Sequence, residues 1–191
     1  MFYRFAKCLV KFYMRVIFRV QVEGEIPVEG PFLLCANHTS LYDPVTVACF
    51  TRRRLTFMAK RELFDIFGLK WILKWVGAFP VTRDKGSIGA VKTSLSILKQ
   101  GGVMLMFPEG RRNRSAEHIE AKAGMVLIAQ RANVPIIPIG IRSSYKPFSK
   151  LRVVYGNPIS FEEYKDQKLS AEQMDRIAET ILDEIYSLAE K

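Results

Sequence analysis

A histidine and an aspartate that could act together follow an apolar run in the first quarter of the chain. His38 comes just after residues 31–36, and Asp43 follows five positions later. The apolar run predicts a strand, and open α/β sheets bind ligands beyond the carboxyl ends of their strands. A spacing of five puts side chains on opposed faces of a straight helix, but they can converge where a strand end turns into a helix. An imidazole there could take a proton from a hydroxyl group, while the carboxylate fixes its tautomer and stabilises the imidazolium.

Each residue of this pair also has a purely structural interpretation. Asp43 precedes Pro44, and an aspartate followed by proline is a common start of a helix. His38 could be a buried polar residue whose hydrogen bonds are satisfied at a turn. The spacing alone therefore leaves both interpretations open, and the neighbouring segments have to decide between them.

Two further predicted strand ends carry arginine. The apolar residues 103–106 lead into a turn at 107–114 that contains one glutamate and three arginines, and the segment 77–83 ends at Arg83. Arginine side chains bind phosphate oxygens in pairs, and a glycine-containing turn exposes backbone amides to an anion. A single arginine is more often solvated surface, but two such strand ends could converge with His38 and Asp43 on one phosphate-bearing substrate.

The elements that must position these residues alternate along the chain. Apolar and β-branched runs predict strands at residues 31–36, 55–59, 78–81, 103–107, 135–141 and 151–155. Helical spacing predicts helices at 44–50, 62–76, 87–100 and 121–132, and a last helix follows the capping box Ser170 to Gln173. This alternation predicts one α/β layered domain, with a largely parallel sheet flanked by helices. We expect residues 1–25 to be an amphipathic segment and 26–191 to be the catalytic core.

Residues 1–20 predict a basic amphipathic helix. Lys7, Lys11, Arg15 and Arg19 are four apart and therefore share one side, with most apolar residues elsewhere. Such a helix can lie in the headgroup plane of a membrane, or it can dock on the core of its own domain. We favour the membrane surface, because like charges at this spacing repel unless something anionic lies beneath them. Trp71 and Trp75 could form a second interfacial patch, but we interpret them as helix core.

Composition limits the classes of partner. The net charge of +10 favours anionic partners, which are nucleic acid, an anionic membrane surface or a phosphorylated substrate. No nucleic-acid-binding module is recognisable, so we expect no nucleic acid partner. The three cysteines lack metal-ligand spacing and predict neither a disulfide framework nor a metal site. No apolar run approaches the roughly 20 residues that would span a bilayer, so we expect no transmembrane helix.

In four blocks the sequence resembles the glycerolipid acyltransferase family, and within it the bacterial enzymes that acylate 1-acylglycerol-3-phosphate. Asn37-His38 with Asp43 is similar to the His-x4-Asp block of the family. The other three matching blocks lie at residues 77–83, 107–112 and 134–138. Arg111 and Asn113 depart from the pattern, because the family usually has threonine and serine at these positions. The resemblance covers residues from about 30 to 160, and it is specific because the blocks agree in both order and spacing.

The resemblance implies a role for each matched residue. His38 would be the general base that deprotonates the acceptor hydroxyl, and Asp43 would orient it, so that the alkoxide attacks an acyl thioester directly. The acceptor phosphate would be bound by a set of residues from the later blocks, namely Arg83, Glu109, Gly110 and Arg112. Lys60, in a stretch also similar to the family, could assist the phosphate or the oxyanion, or could be a surface lysine.

The same resemblance implies the substrates and the place of action. The acceptor would be 1-acyl-sn-glycerol-3-phosphate (lysophosphatidate), and the donor would be acyl-coenzyme A or acyl carrier protein, with no other cofactor and no metal. The enzyme would lie on the cytoplasmic face of the cell membrane without spanning it. Two alternatives stay open, which are an acyltransferase for glycerol-3-phosphate or another lysolipid, and a non-catalytic protein that binds anionic membranes.

Overall fold

A single sheet forms the centre of the fold in the computed structural model, which describes residues 2–25, 27–81, 88–113 and 119–191. The strands are β1 Arg19–Glu23, β2 Phe32–Ala36, β3 Leu55–Lys60, β4 Ala78–Val81, β5 Val103–Met106, β6 Ile136–Ser143 and β7 Lys150–Tyr155. They are hydrogen-bonded in the order β1-β7-β6-β2-β5-β3-β4. Every neighbouring pair is parallel except β6 and β7, which are antiparallel. The predicted α/β class with a largely parallel sheet is confirmed.

Helices cover both faces of this sheet. They are α1 Phe2–Ile17, α2 Asp43–Phe50, α3 Leu69–Trp75, α4 Ile88–Lys99, α5 Gly124–Ala132 and α6 Ala171–Glu190. Helices α1 to α3 pack on one face and α4 to α6 on the other. In β2, Leu34 and Ala36 belong to the first core and Leu33 and Cys35 to the second, and all four are fully buried. Because both faces of β2 are covered, it reads as a continuous apolar run, as central parallel strands do.

Most predicted bounds lie within two residues of those in the structure, and three regions differ more. The first helix ends at Ile17, because Arg19 begins β1, which pairs with β7 at the edge of the sheet. That edge pairing is reinforced by Arg152, whose guanidinium donates two hydrogen bonds of 3.0 Å to Glu23. The single helix predicted at 62–76 is a 3₁₀ turn and α3, separated at Gly68, whose φ of 81° is left-handed. The helix predicted from residue 121 begins at Gly124.

Helix α1 turns part of its basic side toward the protein. The ammonium group of Lys7 donates to the backbone carbonyl of Thr51, and that of Lys11 lies 5.5 Å from the ring centre of Phe50. Burial lowers the pKa of Lys7. The like charges for which the sequence predicted an anionic surface are thus partly neutralised by contacts with α2 and the residue after it. None of the helices in the described ranges is long and apolar enough to cross a membrane.

The outer side of α1 and the region of α3 expose large apolar side chains on this same layer. On α1 these are Phe5, Leu9, Phe12, Tyr13 and Val16. Near α3, Phe67 is 96% exposed and Trp71 is 64% exposed. The interpretation of Trp71 as helix core is therefore wrong, because this short helix turns Leu73 toward the core instead. The ammonium groups of Lys70 and Lys74 lie 5.3 and 5.9 Å from the Trp71 ring, and the side chain of Trp75 is outside the described residues.

Helix α6 packs directly on the backbone of β6 at Gly140. A Cβ atom at this position would lie 2.3 Å from both the carbonyl carbon of Leu188 and the amide nitrogen of Ala189. Backbone atoms cannot rotate away as a flexible side chain can. Glycine is therefore required here for the close approach of α6 to the sheet.

We expect Gly140→Ala to lower the free energy of unfolding by about 1–3 kcal/mol, because the added methyl group forces α6 away from β6. Urea denaturation monitored by circular dichroism measures this change. Gly124→Ala is the matched control, since no atom lies within 4 Å of a Cβ there, and it should leave the midpoint unchanged or slightly raised. Equal midpoints for the Gly140 and Gly124 variants would contradict the packing argument.

Candidate active site

The end of β2 and the start of α2 bring His38 and Asp43 into direct contact. Nδ1 of His38 lies 3.0 Å from Oδ2 of Asp43. Asp43 is fully buried, while the His38 side chain keeps 16% of its surface exposed. A carboxylate only accepts hydrogen bonds, so it selects the tautomer with the proton on Nδ1 and leaves Nε2 as an acceptor.

The Asp43 side chain also orders the loop between β2 and α2. Its Oδ2 atom accepts hydrogen bonds from the backbone amides of Thr39 at 2.7 Å and Ser40 at 2.6 Å. Tyr42 is the residue that caps α2, and its side chain makes no capping hydrogen bond. A role as helix cap alone does not account for these contacts. The Asp43 carboxylate contacts the His38 imidazole and the amides of residues that precede the helix.

The turn after β5 fixes His38 from the other side. The ring of Phe107 stacks on the imidazole, with ring centres 4.1 Å apart. The His38 amide donates to Oε1 of Glu109 at 3.0 Å, and the His38 carbonyl accepts from the amide of Asn113 at 2.6 Å. Since β2 and β5 are parallel neighbours with Cys35 level with Met106, their strand ends meet at this point. The sequence predicted that the residues after β2 and after β5 lie together, and they do.

Glu109 is almost fully buried beside the imidazole. Burial raises its pKa, while the hydrogen bond from the His38 amide and the hydroxyl of Tyr186 act in the opposite direction. The Tyr186 hydroxyl also accepts from Nδ2 of Asn113 at 3.3 Å, so α6 closes this side of the site. Glu109 therefore acts on the position of the His38 backbone, and it is shielded from solvent.

Two polar residues that the sequence reasoning did not assign as site residues complete the arrangement. The Tyr145 hydroxyl donates to Oδ1 of Asp43 at 2.6 Å. The Asn37 side chain accepts from the Ile141 amide at 2.7 Å and donates to the Ile141 carbonyl at 2.9 Å, which ties the end of β2 to β6. A polar residue at the end of an apolar strand was a visible signal for Asn37. Tyr145 carries no such signal.

A large cavity of about 630 Å³ is lined by the chain neighbours of His38 and Asp43, among them Asn37, Thr39 and Tyr42. Its walls come from the loop on both sides of His38, the turn after β5, the end of β6 and α6. Arg112 and Arg142 supply positive charge to this cavity, and Glu109, Tyr145 and Tyr186 supply further polar groups. These groups could bind the hydroxyl and anionic parts of a substrate.

The remaining predicted site residues are placed differently. Gly110 forms the tight turn after Glu109, with a left-handed φ of 65°. The Lys60 ammonium lies 2.9 Å from Glu62 on the surface, which is the geometry of the surface-lysine alternative. Arg83 lies outside the described residues. Within residues 2–25, 27–81, 88–113 and 119–191, no three His, Cys, Asp or Glu side chains are close enough to hold a metal ion.

Comparison with known proteins gives consistent results. The acyltransferase family model matches residues 18–142. A 1-acyl-sn-glycerol-3-phosphate acyltransferase of Streptococcus pneumoniae is 35% identical to this chain. The match covers 84% of this chain but only 61% of the length of that protein. A protein of the same name from Bacillus subtilis is 29% identical over 91% of this chain and 88% of its own length.

A solved structure is similar over nearly the whole chain. The 1-acyl-sn-glycerophosphate acyltransferase PlsC of Thermotoga maritima superimposes with a TM-score of 0.75, covering 96% of this chain and 75% of that one. At 22% identity this likeness concerns the fold alone. The family model covers well over half of the residues, including the His38–Asp43 pair and the turn after β5. The chain therefore belongs to the acyltransferase family.

Proposed function

We propose that this protein transfers a fatty acyl group from acyl-coenzyme A or acyl carrier protein to the sn-2 hydroxyl of 1-acyl-sn-glycerol-3-phosphate, giving phosphatidic acid. The observation that carries the proposal is the hydrogen bond of 3.0 Å between His38 and the buried Asp43 at the end of the central strand. The names of the similar bacterial proteins support this choice of acceptor.

In the proposed reaction His38 acts as the general base. Its Nε2 atom takes the proton of the acceptor hydroxyl as the oxygen attacks the thioester carbonyl carbon. The new C–O bond forms, the C–S bond breaks, and the leaving thiolate takes the proton from the imidazolium. Asp43 stabilises the imidazolium formed between these steps and holds the ring in place.

The cysteines support direct attack without a covalent acyl-enzyme. Burial raises the pKa of the Cys35 thiol well above its usual range and that of Cys49 to about 11. A thiol must ionise to act as a nucleophile, so neither residue is suited to carry the acyl group.

For the acceptor phosphate we propose Arg112 and Arg83, with Gly110 shaping the turn. Arg112 lines the large cavity and is exposed, so its guanidinium can meet an anion from solvent. Glu109 supports this site through His38 and does not touch the anion. Lys60 would have to leave Glu62 before it could assist.

An apolar pocket of about 90 Å³ near the start of α2 has room for a short part of the acyl chain. It lies between α1, α2 and β3, and Pro44, the neighbour of Asp43, is part of its wall. Ala48 and Phe57 line it further along. Almost all of its surface is apolar, which suits a hydrocarbon chain.

As part of the same proposal, α1 and the α3 region rest on the cytoplasmic surface of the membrane. Both lie on one layer of the molecule and expose large apolar side chains, including Phe5, Phe12, Phe67 and Trp71. Lys70 and Lys74 beside Trp71 suit anionic headgroups, as does the net charge of +10. Rings at the headgroup level with cations beside them are typical of interfacial segments.

We expect the double change Phe5→Ser and Phe12→Ser to lower partition onto liposomes containing phosphatidylglycerol by at least about tenfold, because each ring withdraws apolar surface from water. Co-sedimentation measures the bound fraction, and binding of the unchanged protein should weaken as salt rises. The control is Ile88→Ser, an equally exposed apolar residue on the layer opposite α1. Binding that both variants leave unchanged would contradict the membrane role of α1.

The function itself is tested by acyl transfer from a labelled acyl thioester in detergent micelles. Lysophosphatidate, glycerol-3-phosphate and other lysolipids are offered side by side, each with coenzyme A and acyl carrier protein donors. Product with lysophosphatidate supports the proposal, and product only with another acceptor replaces it by that acceptor. Liposome binding without transfer to any acceptor would favour the non-catalytic alternative.

A further inference from the structure

We propose that Tyr145 is a positioning residue for the His38–Asp43 pair, because its hydroxyl holds the Asp43 carboxylate in the orientation that presents the other oxygen to the imidazole. This inference rests on the proposed function. It assigns a role to the segment after β6, which lies outside the four blocks that carry the family resemblance.

The two oxygens of Asp43 have separate tasks. Oδ2 accepts from the His38 imidazole and from the amides of Thr39 and Ser40. Oδ1 accepts from the Tyr145 hydroxyl at 2.6 Å, a distance in the range of short, charge-assisted hydrogen bonds. The three contacts at Oδ2 fix that oxygen, and the Tyr145 hydroxyl fixes the second one. Rotation about the Cβ–Cγ bond therefore costs hydrogen bonds at both oxygens.

Tyr145 is itself held from several directions. Its φ of 52° is left-handed, which is rare for an aromatic residue and costs on the order of 1 kcal/mol or more unless neighbouring contacts enforce it. The amide of Tyr145 donates to Oγ of Ser143 at 3.0 Å, and its ring stacks on Tyr42 and meets Phe18 edge-on. The Thr46 hydroxyl lies 3.2 Å from that of Tyr145. Strained backbone that the surrounding contacts fix in this way is concentrated at functional sites.

The Tyr145 hydroxyl remains a donor under all working conditions. Burial and the negative charge of Asp43 raise its pKa far above its usual range. Its removal leaves the carboxylate with one donor fewer and hence more basic, which favours the imidazolium form of His38. The other charged groups of the site, Glu109, Arg112 and Arg142, are unchanged by such a substitution.

The test is Tyr145→Phe, which removes one oxygen and keeps the ring. We expect kcat to fall about 10- to 100-fold, with KM for the acceptor nearly unchanged. The acidic limb of the kcat/KM profile should move to higher pH. The control is Tyr155→Phe, a buried tyrosine whose hydroxyl lies 3.2 Å from Thr51, and it should move neither quantity.

A second readout does not depend on turnover. The Nδ1 proton of His38 should give a downfield proton NMR signal, which Tyr145→Phe should shift or broaden and Tyr155→Phe should leave alone. If Tyr145→Phe fails to fold, Ser143→Ala loosens the same segment with less disruption and should show smaller changes in the same direction. If Tyr145→Phe and Ser143→Ala both keep the pH profile and the NMR signal of the unchanged protein, the inference is overturned. If the unchanged protein transfers no acyl group but Tyr145→Phe still alters the NMR signal of His38, only the proposed reaction is overturned.

Discussion

His38→Ala is expected to lower kcat/KM for acyl transfer by about 10²- to 10⁴-fold, the range in which a positioned general base contributes. The variant keeps the backbone contacts of residue 38 with Glu109 and Asn113, because these involve only its amide and carbonyl. It loses the imidazole that, in the proposed reaction, receives the proton of the acceptor hydroxyl. Initial rates with saturating acyl thioester and varied lysophosphatidate measure the change.

Two controls separate the chemistry of His38 from its packing. Phe107→Leu removes the ring that stacks on the imidazole at 4.1 Å but leaves the base in place, so it should cost far less activity. Liposome binding and the circular dichroism spectrum of His38→Ala should match those of the unchanged protein. Turnover that survives intact in His38→Ala would exclude His38 as the base, whatever the acceptor.

The part of the site that the sequence predicted depends on adjacent strand ends. His38 follows β2, and Glu109, Gly110 and Arg112 follow β5, its parallel neighbour. Apolar runs locate the carboxyl end of each strand, and in parallel strands these ends lie at one edge of the sheet. The strand bounds therefore place both segments at the same edge of the sheet, and the strand order then makes them neighbours.

Tyr145 could not be found in this way. Strand β6 lies on the other side of β2, and one residue, Ser144, separates its end from Tyr145, whose side chain turns back toward Asp43. Its placement depends on the strand order, on the double hydrogen bond from Asn37 to Ile141 and on a left-handed backbone conformation. None of these leaves a trace in residue spacing, because each is set by tertiary contacts.

The errors in the element bounds have a related origin. Residues 19–23 alternate polar residues with Val20 and Val22, which is a strand pattern, and they pair with β7. The prediction continued the helix to residue 20 because Arg19 extends the four-residue spacing of the basic residues. Trp71 was interpreted as core because aromatic residues at helical spacing usually pack inward, and it is exposed because α3 is short and only part of its surface meets the sheet. Hydropathy alone does not tell a ring buried in protein from one on an apolar outer surface.

Asp43→Asn is expected to have the second large effect, a loss of about 10³- to 10⁴-fold in kcat, as the equivalent change has in serine hydrolases with an Asp–His pair. The amide keeps the size of the carboxylate but loses its charge, so the imidazolium has no counterion. The oxygen of the amide must stay at the position of Oδ2, because the backbone amides of Thr39 and Ser40 donate to it there. The NH₂ group then faces Tyr145, so the imidazole keeps its tautomer and the loss comes from the missing negative charge.

The same substitution separates catalysis from local folding. Asp43 accepts from two loop amides, so its replacement should also lower the free energy of unfolding by roughly 1–3 kcal/mol, which leaves most molecules folded at room temperature. Asp175→Asn, an exposed aspartate of α6, should alter neither activity nor stability. Activity of Asp43→Asn within threefold of the unchanged protein would reduce Asp43 to a residue that orders the loop, because the loop contacts can survive in the amide while the counterion cannot.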